Sequence, residues 1–149
     1  MRVVIQRVLK SQVKINGQPF SQIDKGLLVF VSVAATDTLK DAEFIAEKLV
    51  NMRIFADQAG KMNLSLLDVG GAILLVSNFT LHGDCRKGRR PSFDAAAEAG
   101  LGRELYEKLI DLIEQRGVTV AKGAFGEHMH VSSINDGPVT FLLDSTKLF

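Results

Sequence analysis

Two almost unbroken apolar runs constrain the fold of this chain more than any other feature. Gly26-Leu27-Leu28-Val29-Phe30-Val31-Ser32-Val33-Ala34 and Ala72-Ile73-Leu74-Leu75-Val76 lack the polar alternation of a strand with one wet face. Strands of this kind need cover on both sides, so both runs are expected in the interior of a sheet. The cover is encoded nearby. Leu39, Ala42, Ile45, Ala46 and Leu49 repeat at helical spacing behind Thr38 and Asp41, a pair resembling a capping box, which predicts a helix over about 39–51. Leu101, Leu105, Leu109, Leu112 and Ile113 form a second apolar stripe, with Gly117 where a helix-terminating glycine belongs.

The flanking segments add strands. Residues 3–8 are rich in β-branched side chains, and residues 12–15 run into Asn16-Gly17, the dipeptide that best supports a tight hairpin. Near the end, residues 128–133 and 139–143 read as two closing strands joined by a turn at Asn135-Asp136-Gly137-Pro138. The expected fold class is α/β: a mixed, barrel-like sheet with two main helices packed on it, forming a single domain over residues 1–149.

Composition narrows the functional classes. Hydrophobic residues are 46% and charged residues 23% of the 149, with no low-complexity tract, so the chain reads as globular. The net charge of +1, from 18 basic and 17 acidic residues, excludes a general polyanion-binding field, and any nucleic-acid contact must be local. Cys85 is the only cysteine, so no intramolecular disulfide can form. The first residues carry no signal-peptide pattern and no apolar run approaches the roughly 18 residues of a membrane helix. The expected location is the cytoplasm, with no membrane partner.

Four groups of residues are candidates for chemistry. Ser77-Asn78-Phe79-Thr80-Leu81 places hydroxyl and amide groups directly after a buried strand, where a plain strand cap is the competing reading. Strand alternation would put Asn78, Thr80 and His82 on one face, giving Thr80 a nearby base; no acid is placed to complete a triad, and Gly-x-Ser-x-Gly is absent. Asp136-Gly137-Pro138 reads as a turn, or as a bare, rigid backbone able to approach a ligand closely. Arg86-Lys87-Gly88-Arg89-Arg90-Pro91 brings four positive charges into one loop, a solvated surface or a grip on phosphates. His82, Cys85, His128 and His130 match no zinc spacing, so neither a metal nor another cofactor is expected.

The order of these motifs carries a resemblance. From Met1-Arg2-Val3-Val4-Ile5-Gln6-Arg7-Val8, through Lys61-Met62-Asn63 and Gly88-Arg89-Arg90-Pro91-Ser92-Phe93, to Asn135-Asp136-Gly137-Pro138-Val139-Thr140, the chain resembles the bacterial D-aminoacyl-tRNA deacylases along nearly its whole length. Residues 77–81 correspond to that family's Ser-Gln-Phe-Thr-Leu-like signature and residues 135–140 to its Asn-x-Gly-Pro-Val-Thr signature.

The resemblance implies hydrolysis of the ester in D-aminoacyl-tRNA, and of glycine mischarged on tRNA(Ala), by a homodimer that takes up the tRNA acceptor end and does not bind DNA. It implies that Gly137 and Pro138, joined by a cis bond and held by Arg7, reach into the partner's pocket and block L-aminoacyl side chains. Thr80, Ser77 and Phe79 are then the catalytic-site residues, and Gln6, Arg7, Asn78 and Met129 join Gly137 and Pro138 in substrate binding and chiral selection. Within the family the chemistry is assigned to the 2′-hydroxyl of the substrate's terminal ribose, with protein backbone positioning the ester, rather than to a Thr80 nucleophile. Three positions depart from the pattern: Asn78 stands where Gln is usual, and Glu127 and Ser133 where Ala and Leu are commoner.

Overall fold

The structure is a computed structural model, and it describes residues 1–148. A six-stranded mixed sheet dominates it, built on β1 (Arg2–Ile15), β2 (Gln18–Ile23), β3 (Gly26–Ser32), β6 (Ala72–Ser77), β7 (Val120–Lys122) and β8 (His130–Asp144). A small hairpin, β4 (Phe55–Ala56) with β5 (Met62–Leu64), stands apart from it. The helices are α1 (Leu39–Asn51), the single-turn α2 (Leu66–Val69) and α3 (Ala99–Glu114).

β1 organises the sheet because it has three partners. Its first half pairs antiparallel with β3, its second half with β2, and almost its full length with β8. The β1–β2 hairpin turns at Asn16 and Gly17, whose φ angles of 50° and 78° are the two positive values a type I′ turn requires. β3, β6 and β7 run parallel, and the Ser21 hydroxyl on β2 donates to the Lys122 carbonyl on β7 at 2.8 Å, so the sheet curls into a nearly closed barrel.

The two apolar runs are the central strands β3 and β6, and the sheet has a core on each side of them. Leu27, Val29, Val31, Ile73 and Leu75 face the helices, where they meet Ala42, Ile45, Leu49, Leu105, Leu109 and Ile113. Leu28, Leu74 and Val76 face the barrel interior with Val8, Val13 and Ile23. α1 spans the predicted residues, and the Asp41 carboxylate accepts from the Thr38 N–H at 2.8 Å and the Thr38 hydroxyl at 3.0 Å. α3 also follows its stripe, and the N–H of Gly117, at φ 84°, bonds the Glu114 carbonyl at 2.9 Å.

One expectation is corrected. Residues 135–138 do not reverse the chain between two strands. Both flanks pair with the same strand, Thr140 opposite Gln6 and Asn135 opposite Val8, so β8 continues through the motif. Four residues, 136–139, stand opposite Arg7 alone, and the surplus bulges out of the ladder.

Candidate active site: a cleft at a strand end and a separate glycine–proline loop

A cleft of about 570 Å³ opens at the C-terminal end of β6. Ser77, Asn78 and Phe79 form one wall, and Glu127, His128 and Met129 belong to the segment opposite. Phe30 and Val76 floor it from the sheet, while Ala97 and Ala99 border it where α3 begins. The lining is mostly apolar with a few polar groups, the character of a small-molecule site.

Strand geometry stops at Ser77. Residues 79–82 wind into a turn of 3-10 helix capped by Asn78, whose Oδ1 accepts from the Thr80 N–H at 3.3 Å and from the Thr80 hydroxyl at 2.5 Å. The alternation that would pair Thr80 with His82 therefore fails. Thr80 is exposed, whereas His82 is buried, with its Nδ1 2.6 Å from the Ser32 hydroxyl. The Ser32 hydroxyl lies 3.3 Å from the Phe79 carbonyl; its single hydrogen satisfies that acceptor if His82 Nδ1 carries the proton. Burial, followed by the nearby Arg2 charge, lowers the His82 pKa from 6.5, so the ring is neutral at pH 7. The ring braces the turn from beneath and is not a base for Thr80. The shorter amide of Asn78 is spent on its own turn, an Asx arrangement.

The opposite wall is held through Tyr106 on α3. Its buried hydroxyl lies 2.9 Å from the Leu75 carbonyl and 3.2 Å from the Gly123 carbonyl, tying the end of β6 to the segment that leads to Met129. Burial raises its pKa, so it stays a neutral donor. A methyl group on Gly123 would stand 2.8 Å from the Met129 sulfur, so the bare backbone there lets Met129 pack down onto it.

The second motif lies elsewhere. None of residues 135–140 lines the cleft. The Gly137–Pro138 bond is cis, and both residues are exposed. Arg7 anchors the bulge: its Nε donates to the Asp136 carbonyl at 3.0 Å and lies 2.9 Å from the Asp136 carboxylate, and its Nη1 donates to the Ile54 carbonyl at 2.6 Å. Asn135 closes the other side, its amide donating to the carbonyls of Arg7 and Val139 at 2.9 and 3.2 Å. Gln6 reaches the Thr140 hydroxyl at 3.3 Å. A side chain on Gly137 would collide with Asn135 Oδ1 and stand 2.8 Å from the Val139 nitrogen.

The expected residues thus form two groups: Ser77, Asn78, Phe79 and Met129 line the cleft, with Thr80 on the adjoining 3-10 turn but outside the lining, and Gln6, Arg7, Gly137 and Pro138 gather where β1 pairs with β8. Reading the sequence alone missed Phe30, Ala97, Ala99 and Phe125 at the cleft, for which only the lone aromatic within the run at 26–34 is a signal. His128 and His130 pack edge to face, 5.1 Å apart. Among the described residues, no group of three or more His, Cys, Asp or Glu side chains is placed to hold a metal ion, and no helix is long and apolar enough to cross a membrane.

Comparison with solved structures sets the fold class first. The chain superimposes on one described as "c-Myc DNA Unwinding Element Binding Protein" with a TM-score of 0.91 and 34% identity, over 97% of this chain and 98% of that one. It also shares its fold with a probable eukaryotic D-amino acid tRNA deacylase, with a TM-score of 0.84 and 18% identity over 95% and 97% of the two chains. The family model described as D-Tyr-tRNA(Tyr) deacylase matches residues 4–144. D-aminoacyl-tRNA deacylases of Fervidobacterium nodosum and Clostridioides difficile are 53% and 51% identical, each across 100% of both chains. The chain belongs to the D-aminoacyl-tRNA deacylases, a family of hydrolases.

Proposed function

We propose that this chain, one domain over residues 1–149, works in the cytoplasm as a homodimer that hydrolyses D-aminoacyl-tRNA and glycyl-tRNA(Ala), with Gly137 and Pro138 of each subunit entering the cleft of the other. The observation that carries this reading is the separation of the two signatures. None of residues 135–140 lines the cleft beside residues 77–79, while the glycine–proline loop is anchored at both ends yet faces solvent. Two copies related by a two-fold axis satisfy both at once. β8 supports the pairing, being an edge strand with the exposed apolar side chains Ile134 and Leu142.

In the composite site the terminal adenosine and its ester lie against residues 77–80. Phe79 opens the 3-10 turn, and the first N–H of a helical turn has no partner within it, so that amide is available to the oxyanion that forms when the ester carbonyl is attacked. Water adds to the carbonyl carbon, the ribose oxygen leaves with a proton, and the neighbouring ribose 2′-hydroxyl shuttles that proton. Thr80, whose hydroxyl is held by Asn78, positions the substrate rather than attacking it. Met129 and Asn78 border the aminoacyl group, and Gln6 and Arg7 hold the gauge. The gauge excludes rather than selects. An L side chain meets the cis Gly137–Pro138 backbone, each 1.4 kcal/mol of clash is worth about tenfold, and glycine, with nothing to clash, passes. The partner is the acceptor end of tRNA rather than DNA or a membrane, with no cofactor.

The test is ester loss from D-Tyr-tRNA, L-Tyr-tRNA and Gly-tRNA against spontaneous hydrolysis. Hydrolysis of the D and glycyl substrates alone is expected. Equal D and L rates, or none above background, would sink the reading.

A further inference from the structure

The basic loop between the 3-10 turn and α3 is not accounted for by the cleft or by the glycine–proline loop. It leaves at Gly83 and is pinched shut by a two-residue bridge, the Asp84 N–H donating to the Ser92 carbonyl at 2.7 Å and the Ser92 N–H to the Asp84 carbonyl at 3.0 Å. Its four cations are not equivalent. Arg86 is paired with Asp84, Nε to Oδ1 at 2.9 Å and Nη2 to Oδ2 at 2.6 Å, so it is part of the loop's own frame. Lys87, Arg89 and Arg90 are exposed and have no ion pair or side-chain hydrogen bond among the described residues. Gly88, at φ 70°, supplies the bend between Lys87 and Arg89.

The loop is also coupled to the cleft. Phe93, just past the bridge, packs edge to face on Phe79 with ring centroids 5.0 Å apart, and Phe79 is a wall of the cleft. Beyond it the Ala35 N–H donates to the Ala95 carbonyl at 3.1 Å and the Ala97 N–H to the Val33 carbonyl at 2.9 Å, fixing the returning segment to the end of the sheet. Three cations without an ion pair are therefore carried on a loop whose base packs against the cleft wall, in a chain whose net charge is only +1. A general nucleic-acid affinity does not follow from that balance, but a local grip does.

We propose that Lys87, Arg89 and Arg90 bind backbone phosphates of the tRNA acceptor stem, holding the RNA while its aminoacyl end occupies the cleft. This rests on the deacylase reading for the identity of the RNA, though not for the existence of the phosphate site. The contacts add affinity without touching the ester, so they act on KM and leave kcat alone. Arg86 works differently, by shaping the loop.

The test compares the wild-type chain with a Lys87→Gln, Arg89→Gln, Arg90→Gln triple variant, on a surface loop where folding is checked by thermal melting. Binding of a labelled, uncharged acceptor-stem RNA hairpin is followed by fluorescence anisotropy between about 50 and 200 mM salt, where each lost phosphate contact lowers the slope of log K on log salt by about 0.7–0.9. A slope reduced by about two is expected, together with an unchanged rate on D-tyrosyl-adenosine, which has no phosphate. An unchanged affinity and slope would overturn the proposal, as would an equal loss of turnover on D-tyrosyl-adenosine. A DNA hairpin of the same sequence, bound as tightly and with the same loss in the variant, would overturn the assignment to tRNA. If neither protein hydrolyses D-tyrosyl-adenosine, the deacylase reading is at fault, and the anisotropy still judges the loop.

Discussion

The two signature regions are built in opposite ways. The turn at residues 78–82 takes its shape from bonds within a few residues, Asn78 bonding Thr80, and rests on a footing of His82 on Ser32 and of Arg2 donating to the Leu81 carbonyl. The glycine–proline bulge is held from far along the chain, by Arg7 and through it by Ile54, at separations of more than 40 residues. A locally held turn lines a recess and keeps its shape as the strand ends. A remotely anchored bulge can project from an edge strand and still stay in place, as a steric gauge must. The difference teaches that one region is a receiver and the other an insert.

The sharpest way to break that comparison is complementation. Ala99→Trp, on the exposed first turn of α3, is expected to fill the cleft and abolish D-Tyr-tRNA hydrolysis. Gly137→Ala forces the Asn135 side chain aside and is expected to cost about 1–3 kcal/mol at the gauge, a loss of roughly 5- to 150-fold. Mixed after unfolding and refolding, the two impaired chains should rise to about one quarter of wild-type activity, because half the dimers are mixed and each has one intact composite site. No recovery would mean that cleft and gauge act within one chain.

Arg7→Lys comes next. The lysine keeps a charge but cannot serve Asp136 and Ile54 together. Charge-assisted hydrogen bonds are worth about 1.5–3 kcal/mol each, so losing one should lower stability by about 2 kcal/mol, read as a fall in urea midpoint. Selectivity between D- and L-Tyr-tRNA should fall with it. The matching change at the turn, Ser32→Ala, should lower stability without relaxing selectivity. If both variants relax selectivity equally, the insert and receiver are not distinct.

How much of this is legible in the sequence follows the same division. α1 is readable because Thr38, Asp41 and five apolar positions lie within one short segment, and the Asn16-Gly17 hairpin because two adjacent residues specify it. The bulge is misread as a chain reversal because Gly-Pro has the local chemistry of a turn, and only the nonlocal pairing of both flanks with β1 shows otherwise. Thr80 and His82 look like strand neighbours until the Asn78 amide closes the 3-10 turn. Ala97, Ala99 and Phe125 have no pattern to reveal them, since they meet only once α3 has packed on the sheet. The four cations at 86–90 look alike until Asp84 claims one.

The footing of the turn has a pH signature. Burial, with the Arg2 and Met1 ammonium charges, depresses the His82 pKa below 6.5, opposed by Asp37 and Asp144. The unfolded chain therefore takes up a proton before the folded one does. The His82 contribution is complete above pH 6.5 and is lost as pH falls from there through the lower folded value. His82→Gln should flatten the melting temperature over that window. The carboxylates act lower. Asp41 and Asp144 are each raised by burial but pulled down further by hydrogen bonds, from Ser145 and Thr38 to Asp41 and from Thr146 and Arg2 to Asp144; Ser65 lowers Asp68. Their contribution is present above 3.8 and goes as pH drops below it. A melting temperature flat from pH 7 to about 5.5 would show that His82 titrates normally.

The smallest effect is expected at the residue that looks most catalytic. Thr80→Val removes a hydroxyl whose partner, Asn78 Oδ1, keeps the Thr80 N–H, so the turn survives. A neutral hydrogen bond lost at an exposed site is worth about 1 kcal/mol, which is less than tenfold in rate. A nucleophile would behave otherwise, because deleting the atom that attacks removes the pathway itself. His82 is not placed to activate such an atom, since its Nδ1 is bound to Ser32 and the ring lies beneath the turn. Single-turnover hydrolysis of D-Tyr-tRNA by Thr80→Val should therefore stay within about tenfold of wild type and keep its preference for D over L. A loss of a thousandfold or more would return Thr80 to the chemistry and make the receiver, rather than the substrate's ribose, the source of catalysis.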